Sequence, residues 1–278
     1  MNAAAALWRR YRRNPAAVGG LFILALVVLI AAFGPMLYSV DPFDMLGRPS
    51  QLPSAEFPLG TDVSGRDILA GLLRGSRVSL LIGIAASLGA TLLGLAVGAT
   101  AGYFGGWIDV LLMRATDFFL TIPSFVLAVL IVAIVQPTVG TITFAIAIVS
   151  WPAVARLARA EFVSQRRREY VDACRAMGMG NVEIMIRQIL PNALPPVVVI
   201  GSLTVATAIL TEAGLSFLGL GDPNIVSWGY MIGVSRTVLR TAWWMSAIPG
   251  ITILITVLAI NLVGEGLNEA LNPRMRQR

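Results

Sequence analysis

Long runs of apolar residues, separated by shorter polar stretches, dominate the pattern along this chain. A helix that crosses the hydrocarbon core of a bilayer needs about 20 predominantly apolar residues. Six segments reach that length: 18–38, 78–104, 116–135, 138–157, 193–215 and 243–267. They lack the strict alternation of apolar and polar residues that is typical of strands. The pattern therefore predicts an all-α membrane protein with six transmembrane helices.

The remaining segments divide the chain around these helices. We predict an N-terminal segment at 1–17, a first transmembrane helix at 18–38, an outer loop at 39–77, a five-helix transmembrane domain at 78–268 and a tail at 269–278. The first helix follows four arginines, as the apolar region of a signal peptide does. Its apolar run is longer than usual and offers no good cleavage site, so we interpret it as a retained helix.

The placement of arginine predicts the orientation of the helices. If the N-terminus is inside, fifteen Arg lie in cytoplasmic segments and six in outer segments. An excess of basic residues in cytoplasmic segments is the usual pattern in membrane proteins. Both termini are therefore predicted to be cytoplasmic.

Composition excludes several kinds of chemistry. Charged residues make up 13% of the 278 residues, against about 25% in soluble domains. All 21 basic residues are Arg, there is no His, and Cys174 is the only Cys. The chain therefore has no His base, no Cys-His pair, no P-loop Lys and no Cys/His zinc site. Its net charge of +6 suits the flanks of membrane helices better than nucleic acid.

The cytoplasmic loop at 158–192 is predicted to contain two short helices. Val171, Cys174 and Met177 recur at helical spacing and form an apolar stripe in the first helix, which Gly178 is predicted to interrupt. Two short helices cannot bury this stripe by themselves. Either the ends of the transmembrane helices cover it, or a partner protein does.

The second short helix of this loop has its own boundary signals. Asn181 is a plausible N-cap, and Glu183 and Arg187 are spaced as an i,i+4 ion pair. Pro191 is predicted to end the helix.

This loop resembles the EAA loop of ATP-binding-cassette (ABC) importer permeases. The resemblance lies in the run Asp172-Ala-Cys-x3-Gly178 and in the later pair Leu190-Pro191. Asp172 replaces the Glu that opens the family pattern, which keeps the charge, and Gln188 stands where that pattern has Ile. The run Arg187-Gln-Ile-Leu-Pro-Asn192 is similar to the variant in the peptide-importer branch.

Other segments resemble the C-type permease of dipeptide, oligopeptide, nickel, opine and glutathione importers. The matching runs are Phe57-Pro-Leu-Gly-Thr-Asp62, Gly102-Tyr-Phe-Gly-Gly-Trp-x-Asp109, Arg114-x2-Asp117, Glu212-Ala-x-Leu-Ser-Phe-Leu-Gly219 and Asn272-Pro-Arg274. They occur in order and cover nearly the whole chain.

The resemblance implies a type I ABC importer permease fold and half of a solute path. The implied partners are a second homologous permease subunit, two cytoplasmic ATPase subunits, an extracytoplasmic substrate-binding protein and membrane lipid, with no nucleic acid. The chain itself is expected to catalyse nothing and to bind no cofactor, because the partner ATPases would hold ATP and Mg²⁺. The implied location is a bacterial plasma (inner) membrane.

The resemblance also implies that the EAA segment is a coupling helix lying in a cleft of one ATPase. Closure of the ATPases would then move the attached helices as rigid bodies. The implied coupling residues are Glu169, Asp172, Ala173, Cys174, Arg175, Gly178, Leu190 and Pro191.

Three polar residues within apolar segments are candidate gate or pathway residues: Glu212, Asn261 and Glu265. An acid inside a membrane costs about 2.5–3.5 kcal/mol and often faces a polar cavity. Glu212 either faces such a cavity or lies close enough to the surface to snorkel or to bond a loop amide. Asn261 and Glu265 share one helix face and either form interhelical hydrogen bonds or contact solute.

An ion-gradient-driven secondary transporter is the alternative function, and a non-transporting scaffold is a third. A secondary transporter predicts internal repeats or broken helices with acids near the midplane. The sequence shows no internal repeat, and Glu212 is the only acid predicted near mid-span. The sequence does not name the solute.

Overall fold

The structure is a computed structural model that describes residues 3–271. Its helices are α1 Ala3–Tyr11, α2 Pro15–Leu37, α3 Ile68–Phe104, α4 Gly106–Thr121, α5 Ser124–Val135, α6 Val139–Arg166, α7 Glu169–Ala176, α8 Asn181–Glu183, α9 Leu190–Leu215, α10 Trp228–Ser235 and α11 Trp244–Leu271. Two π-helical segments, Ile184–Ile189 and Ser216–Leu220, precede and follow α9. The prediction of an all-α fold is confirmed.

Five helical stretches are long and apolar enough to cross a membrane. They are α2, α3, α6, α11 and the continuous stretch Asn181–Leu220, which contains α9. The pair α4 and α5 passes the same test together but bends by 84°. Counting that bent pair as one span gives the six predicted crossings.

The third predicted helix, 116–135, is wrong as a single straight helix. α4 ends at Thr121 and α5 begins at Ser124, with Pro123 between them. The residue before a proline is held in extended conformations, and Ile122 has φ −92° and ψ 127°. The 12 residues of α5 make only about 18 Å of helix, against about 30 Å of hydrocarbon core.

The outer loop ends at Asp67 and not at Arg77 as predicted. Oδ1 of Asp67 accepts hydrogen bonds from the backbone N–H groups of Leu69 and Ala70, at 2.7 and 3.2 Å. This N-cap starts α3 before the apolar run begins. The prediction ended the loop at Arg77 because this residue is charged. A capped helix, however, tolerates arginines near its start.

Pro191 does not end the second loop helix, which corrects another prediction. The chain runs through the π-helical segment Ile184–Ile189 directly into α9. Pro191 is the second residue of α9, and its missing N–H falls where π-helical hydrogen bonding changes to α-helical bonding. The inner loop is therefore joined rigidly to a transmembrane helix.

An arginine of α3 supplies a hydrogen-bond donor that α2 lacks. Pro35 has no N–H, so the carbonyl of Ala31 lacks its usual helical donor. Nε of Arg77 donates to that carbonyl at 2.5 Å, and Nη2 donates to the carbonyl of Ala32 at 2.6 Å. The outer ends of α2 and α3 are held together by these bonds.

Small residues bring α3 close to α6. A Cβ added at Gly94 would lie 2.7 Å from the carbonyl oxygen of Trp151, and one at Gly98 would lie 2.3 Å from that of Ala155. Contacts this short leave no room for a side chain, so the two backbones approach closely. These glycines of α3 therefore serve helix packing.

Two apolar cores hold the longer helices together. One includes Ile209, Trp228 and Ile253, which join α9, α10 and α11. The other includes Ile82 and Ile146 and joins α3, α5, α6 and α9. α9 belongs to both cores, so a force on its inner end acts on the whole bundle.

Candidate coupling segment and polar path

Residues 169–189, called the inner segment after the side on which they are predicted to lie, fold against the C-terminal ends of α3 and α6 and the N-terminal end of α9. Val171 and Cys174 are buried in a cluster with Tyr103, Phe162 and Ile184. Cys174 is only 7% exposed, whereas Met177 is 73% exposed. The apolar stripe is therefore covered largely by the chain's own helices, and only Met177 remains free for a partner. Cys174 anchors α7 and does not belong to its accessible face.

The opposite face of α7 points outward. Glu169, Asp172 and Ala173 are exposed, and Arg175 pairs with Asp172 at 2.9 Å between Nη1 and Oδ1. This face presents small and charged side chains, which suits a polar cleft of another protein.

Gly178 forms the predicted elbow. Its φ of +79° lies in the left-handed region, and its N–H donates to the carbonyl of Arg175 at 2.9 Å. A Cβ added there would meet nothing within 4 Å. The glycine is therefore needed for its backbone conformation and not for space.

The N-cap of the second short helix differs from the prediction. Gly180 occupies the N-cap position, with no side-chain capping bond. Asn181 is already helical, and its Oδ1 accepts a hydrogen bond from the hydroxyl of Tyr103 at 2.9 Å. The predicted ion pair between Glu183 and Arg187 is present at 2.7 Å.

The last two predicted coupling residues lie where this segment enters α9. Leu190 is half-buried and packs against the cluster around Val171 and Cys174, whereas Pro191 is exposed. Val182 and Ile186 of the same segment are also exposed. The accessible surface of the inner segment thus combines apolar side chains with the charges of α7.

Glu212 is buried near the outer end of α9 and is 1% exposed. The hydroxyls of Ser216 and Ser227 donate to its Oε1 at 2.8 and 2.6 Å. Gly229 lies against the carboxylate, since a Cβ there would be 3.0 Å from each oxygen. Of the two interpretations of Glu212, hydrogen bonding to the segment that follows α9 fits this geometry better than facing a polar cavity. The donors are hydroxyls, however, and not the predicted amides.

Asn261 and Glu265 are both exposed on α11, and neither forms a hydrogen bond within residues 3–271. The interhelical bonds expected for them are therefore missing from the described part of this chain. Asn268 extends them into a polar stripe, which reaches a cleft that Glu161 and Asn192 also line. A polar stripe on an apolar spanning helix needs water or a partner to cover it.

Two ion pairs that sequence reasoning missed fix α4 to α6. Nε and Nη2 of Arg159 donate to both oxygens of Asp109 at 2.5 and 2.6 Å, and Nη2 of Arg156 donates to Asp117 at 2.6 Å. Both aspartates belong to runs that resemble the permease family. Those runs were the signal by which the sequence could have identified them. Elsewhere, among residues 3–271, no group of three or more His, Cys, Asp or Glu converges as a metal site would.

Family models match most of this chain. One, described as the binding-protein-dependent transport system inner membrane component, matches residues 90–277. The chain belongs to this permease family. A second model, the N-terminal TM domain of oligopeptide transport permease C, matches residues 5–53.

Similar proteins extend over almost the full length. The di/tripeptide transport system permease protein DppC of Pseudomonas aeruginosa is 42% identical, covering 97% of this chain and 91% of that protein. The dipeptide permease DppC of Alkalihalophilus pseudofirmus is 41% identical over 97% of this chain and 89% of its own length. The glutathione permease protein GsiD of Pectobacterium atrosepticum is 37% identical over 97% and 90%.

A solved structure shares the fold of this permease. The MetNI methionine ABC transporter, in an inward-facing conformation, superposes with a TM-score of 0.60 and 21% identity, covering 72% of this chain and 96% of that one. The chain is thus a membrane-spanning permease subunit of an ABC importer. The alternative of an ion-gradient-driven secondary transporter is not supported.

Proposed function

We propose that this permease forms half of a path for short peptides or closely related solutes. A second, homologous permease would supply the other half, two cytoplasmic ATPases would drive it, and an extracytoplasmic binding protein would deliver the solute. The relatives named above are di/tripeptide, dipeptide and glutathione permeases, and all of these solutes contain peptide bonds. That shared chemistry supports the solute class.

The polar stripe of α11 is the observation that carries this proposal. Asn261, Glu265 and Asn268 lie on one face of a helix that is otherwise apolar enough to span a membrane. Polar groups facing lipid are costly, so the stripe belongs against water or a second subunit. Paired half-channels would enclose it between them.

The inner segment would couple ATP hydrolysis to movement. Its exposed face, with Asp172, Ala173 and Met177, would lie in a cleft of one ATPase. Because Val171 and Cys174 anchor α7 to the long helices and the segment continues into α9, a push on this face would be transmitted to the bundle. ATP and Mg²⁺ would be bound by the ATPases, and this chain would hold no cofactor and catalyse no reaction.

Uptake by the reconstituted complex tests the function. Proteoliposomes containing this permease, its partner permease and ATPases, and the binding protein should accumulate a labelled dipeptide only when ATP is enclosed with the ATPases. A proton ionophore should not reduce uptake. Accumulation that needs a proton gradient and no ATP would refute the proposal.

Cross-linking tests the docking of the inner segment. In a Cys174→Ser background, Met177→Cys should cross-link to a cysteine placed in the ATPase cleft, with a yield that changes on adding ATP. Val171→Cys is the matched control, because this position is buried and should not react. Equal yields from the two positions would argue against docking through this face.

The orientation is proposed from the arginine distribution. A reporter fused after Arg278 should report a cytoplasmic location, and one inserted near Gln51 an extracytoplasmic location in the bacterial inner membrane. The reverse pattern would overturn the proposed topology.

A further inference from the structure

An arginine-rich cleft lies beside the inner segment, at the inner ends of α3 and α6. Four arginines and two aspartates line it: Arg159, Arg166, Arg167, Arg175, Asp109 and Asp172. It has a volume of about 490 Å³ and is open to solvent. None of the family motifs discussed above assigns it a ligand.

The charges of this cleft do not balance. Asp109 is engaged by Arg159, and Asp172 by Arg175. Arg166 and Arg167 form no ion pair with any carboxylate in the described chain. The cleft therefore keeps an excess of two positive charges, which favours an anionic occupant.

The guanidinium of Arg166 lies close to the glycine that joins α3 and α4. Its Nη1 lies 3.0 Å from the position that a Cβ would take at Gly105, the residue between α3 and α4. Any side chain at that position would crowd the guanidinium. The glycine thus leaves the cationic group room at the junction of two helices.

Apolar side chains are exposed on α4, the helix that carries Asp109. Trp107, at the start of α4, is 75% exposed, and Val110 and Leu111 are exposed on the same helix. Tryptophan is enriched at the level of lipid headgroups. A ligand with an anionic group in the cleft and an apolar part along an exposed helix has the chemistry of a phospholipid.

We propose that this cleft binds the headgroup of one anionic phospholipid of the cytoplasmic leaflet. The phosphoryl oxygens would contact Arg166 and Arg167, and the acyl chains would lie along exposed apolar side chains of α4. Arg175 belongs to α7, so the bound headgroup would touch the inner segment as well as the spanning helices. Basic pockets on the cytoplasmic side of helical bundles bind such headgroups in other membrane proteins.

Lipid retention by the intact complex tests this directly. The purified complex, placed in nanodiscs of phosphatidylcholine with a minor fraction of phosphatidylglycerol, should retain one tightly held phosphatidylglycerol per copy of this chain, seen by native mass spectrometry. The double variant Arg166→Gln/Arg167→Gln should weaken this binding about tenfold, since two basic contacts are lost. The variant Arg166→Lys/Arg167→Lys keeps both charges and should retain the lipid.

The matched control is Arg12→Gln/Arg13→Gln, which removes the same charge from exposed positions predicted to lie on the same side of the membrane. It should leave the tightly bound lipid in place. An equal loss of lipid in both double variants would show a general effect of surface charge and overturn the proposal.

Two other occupants are distinguished in the same experiment. Inorganic phosphate that binds the delipidated complex as tightly as phosphatidylglycerol would make this a free-anion site and refute the lipid. Loss of the ATPases from the Arg166→Gln/Arg167→Gln complex, with lipid retention unchanged, would assign the cleft to protein docking and refute it as well.

Discussion

The inner segment (169–189) and an outer segment (216–235) are both short connections packed onto α9 by apolar side chains, but the outer one adds hydrogen bonds to a buried carboxylate. The inner segment is anchored by apolar side chains, Val171 and Cys174, and leaves its polar face exposed. The outer segment is also anchored by hydrogen bonds from Ser216 and Ser227 to buried Glu212.

This difference indicates what each end of α9 can do. Apolar contacts are not directional, so the inner segment and α9 can move together while the contacts around Val171 and Cys174 adjust. Buried hydrogen bonds are directional and costly to break, so the outer segment is fixed to α9. We infer that α9 is fixed at its outer end and is moved from its inner end.

The largest effect is expected from removing the carboxylate of Glu212. Glu212→Ala would leave two buried hydroxyls without their acceptor and should destabilise the protein by about 3 kcal/mol. Glu212→Gln keeps an acceptor oxygen and should cost much less. Thermal unfolding of the purified complex measures both. Glu56→Ala, at an exposed carboxylate of the loop between α2 and α3, is the control and should leave unfolding unchanged; a similar loss in both Ala variants would contradict the role of Glu212.

The second prediction concerns the inner elbow. Gly178→Val forces a β-branched residue into a φ of +79°, at a cost of about 1–3 kcal/mol. The strain should displace α7 and reduce the amount of solute transported per ATP hydrolysed severalfold. Gly180→Val is the matched control, because Gly180 has an ordinary φ of −68° and open space around it. Normal coupling in Gly178→Val would remove the elbow from the mechanism.

The third prediction tests the bond between α2 and α3. Arg77→Leu should destabilise the protein by about 2 kcal/mol, because Ala31 loses a charged donor. In a Pro35→Ala background the helix regains its own donor, so the same substitution should cost about 1 kcal/mol less. A double-mutant cycle of unfolding temperatures measures the difference. Equal losses in both backgrounds would show that Arg77 does not compensate for the proline.

The smallest effect is expected at the outer junction of the same two helices. The hydroxyl of Tyr38 donates to Asp67, and this bond raises the pKa of Tyr38 to about 12. The folded state favours the protonated phenol, so its stabilisation is complete below the ordinary tyrosine pKa of about 10 and is lost as the pH rises towards 12. The chain has no Lys, which leaves few other groups titrating in this range.

Comparison with Tyr38→Phe measures this contribution. The wild-type protein should unfold at a higher temperature than the variant at pH 8, and the difference should shrink between pH 10 and 12. A difference that is constant across this range would rule out the hydrogen bond as its source.

The sequence by itself determined the helical class, the family and several local features. Hydrophobic length is a property of consecutive residues, so most of the spanning helices could be located without a structure. The elbow at Gly178 and the pair Glu183–Arg187 also depend only on residues close in the chain. The family motifs found the coupling loop because their spacing is local too.

Only the tertiary structure decided which surfaces are covered and which polar groups meet. Val171 and Cys174 repeat with helical spacing whether they face a partner or the chain's own helices, and Tyr103 and Phe162 decide between these possibilities. Arg77 was predicted to lie in a loop. Only the packing of α2 against α3 places it beside the carbonyl that Pro35 leaves without a donor. Helix packing joins residues far apart in sequence, and a hydropathy pattern carries no information about which helices become neighbours.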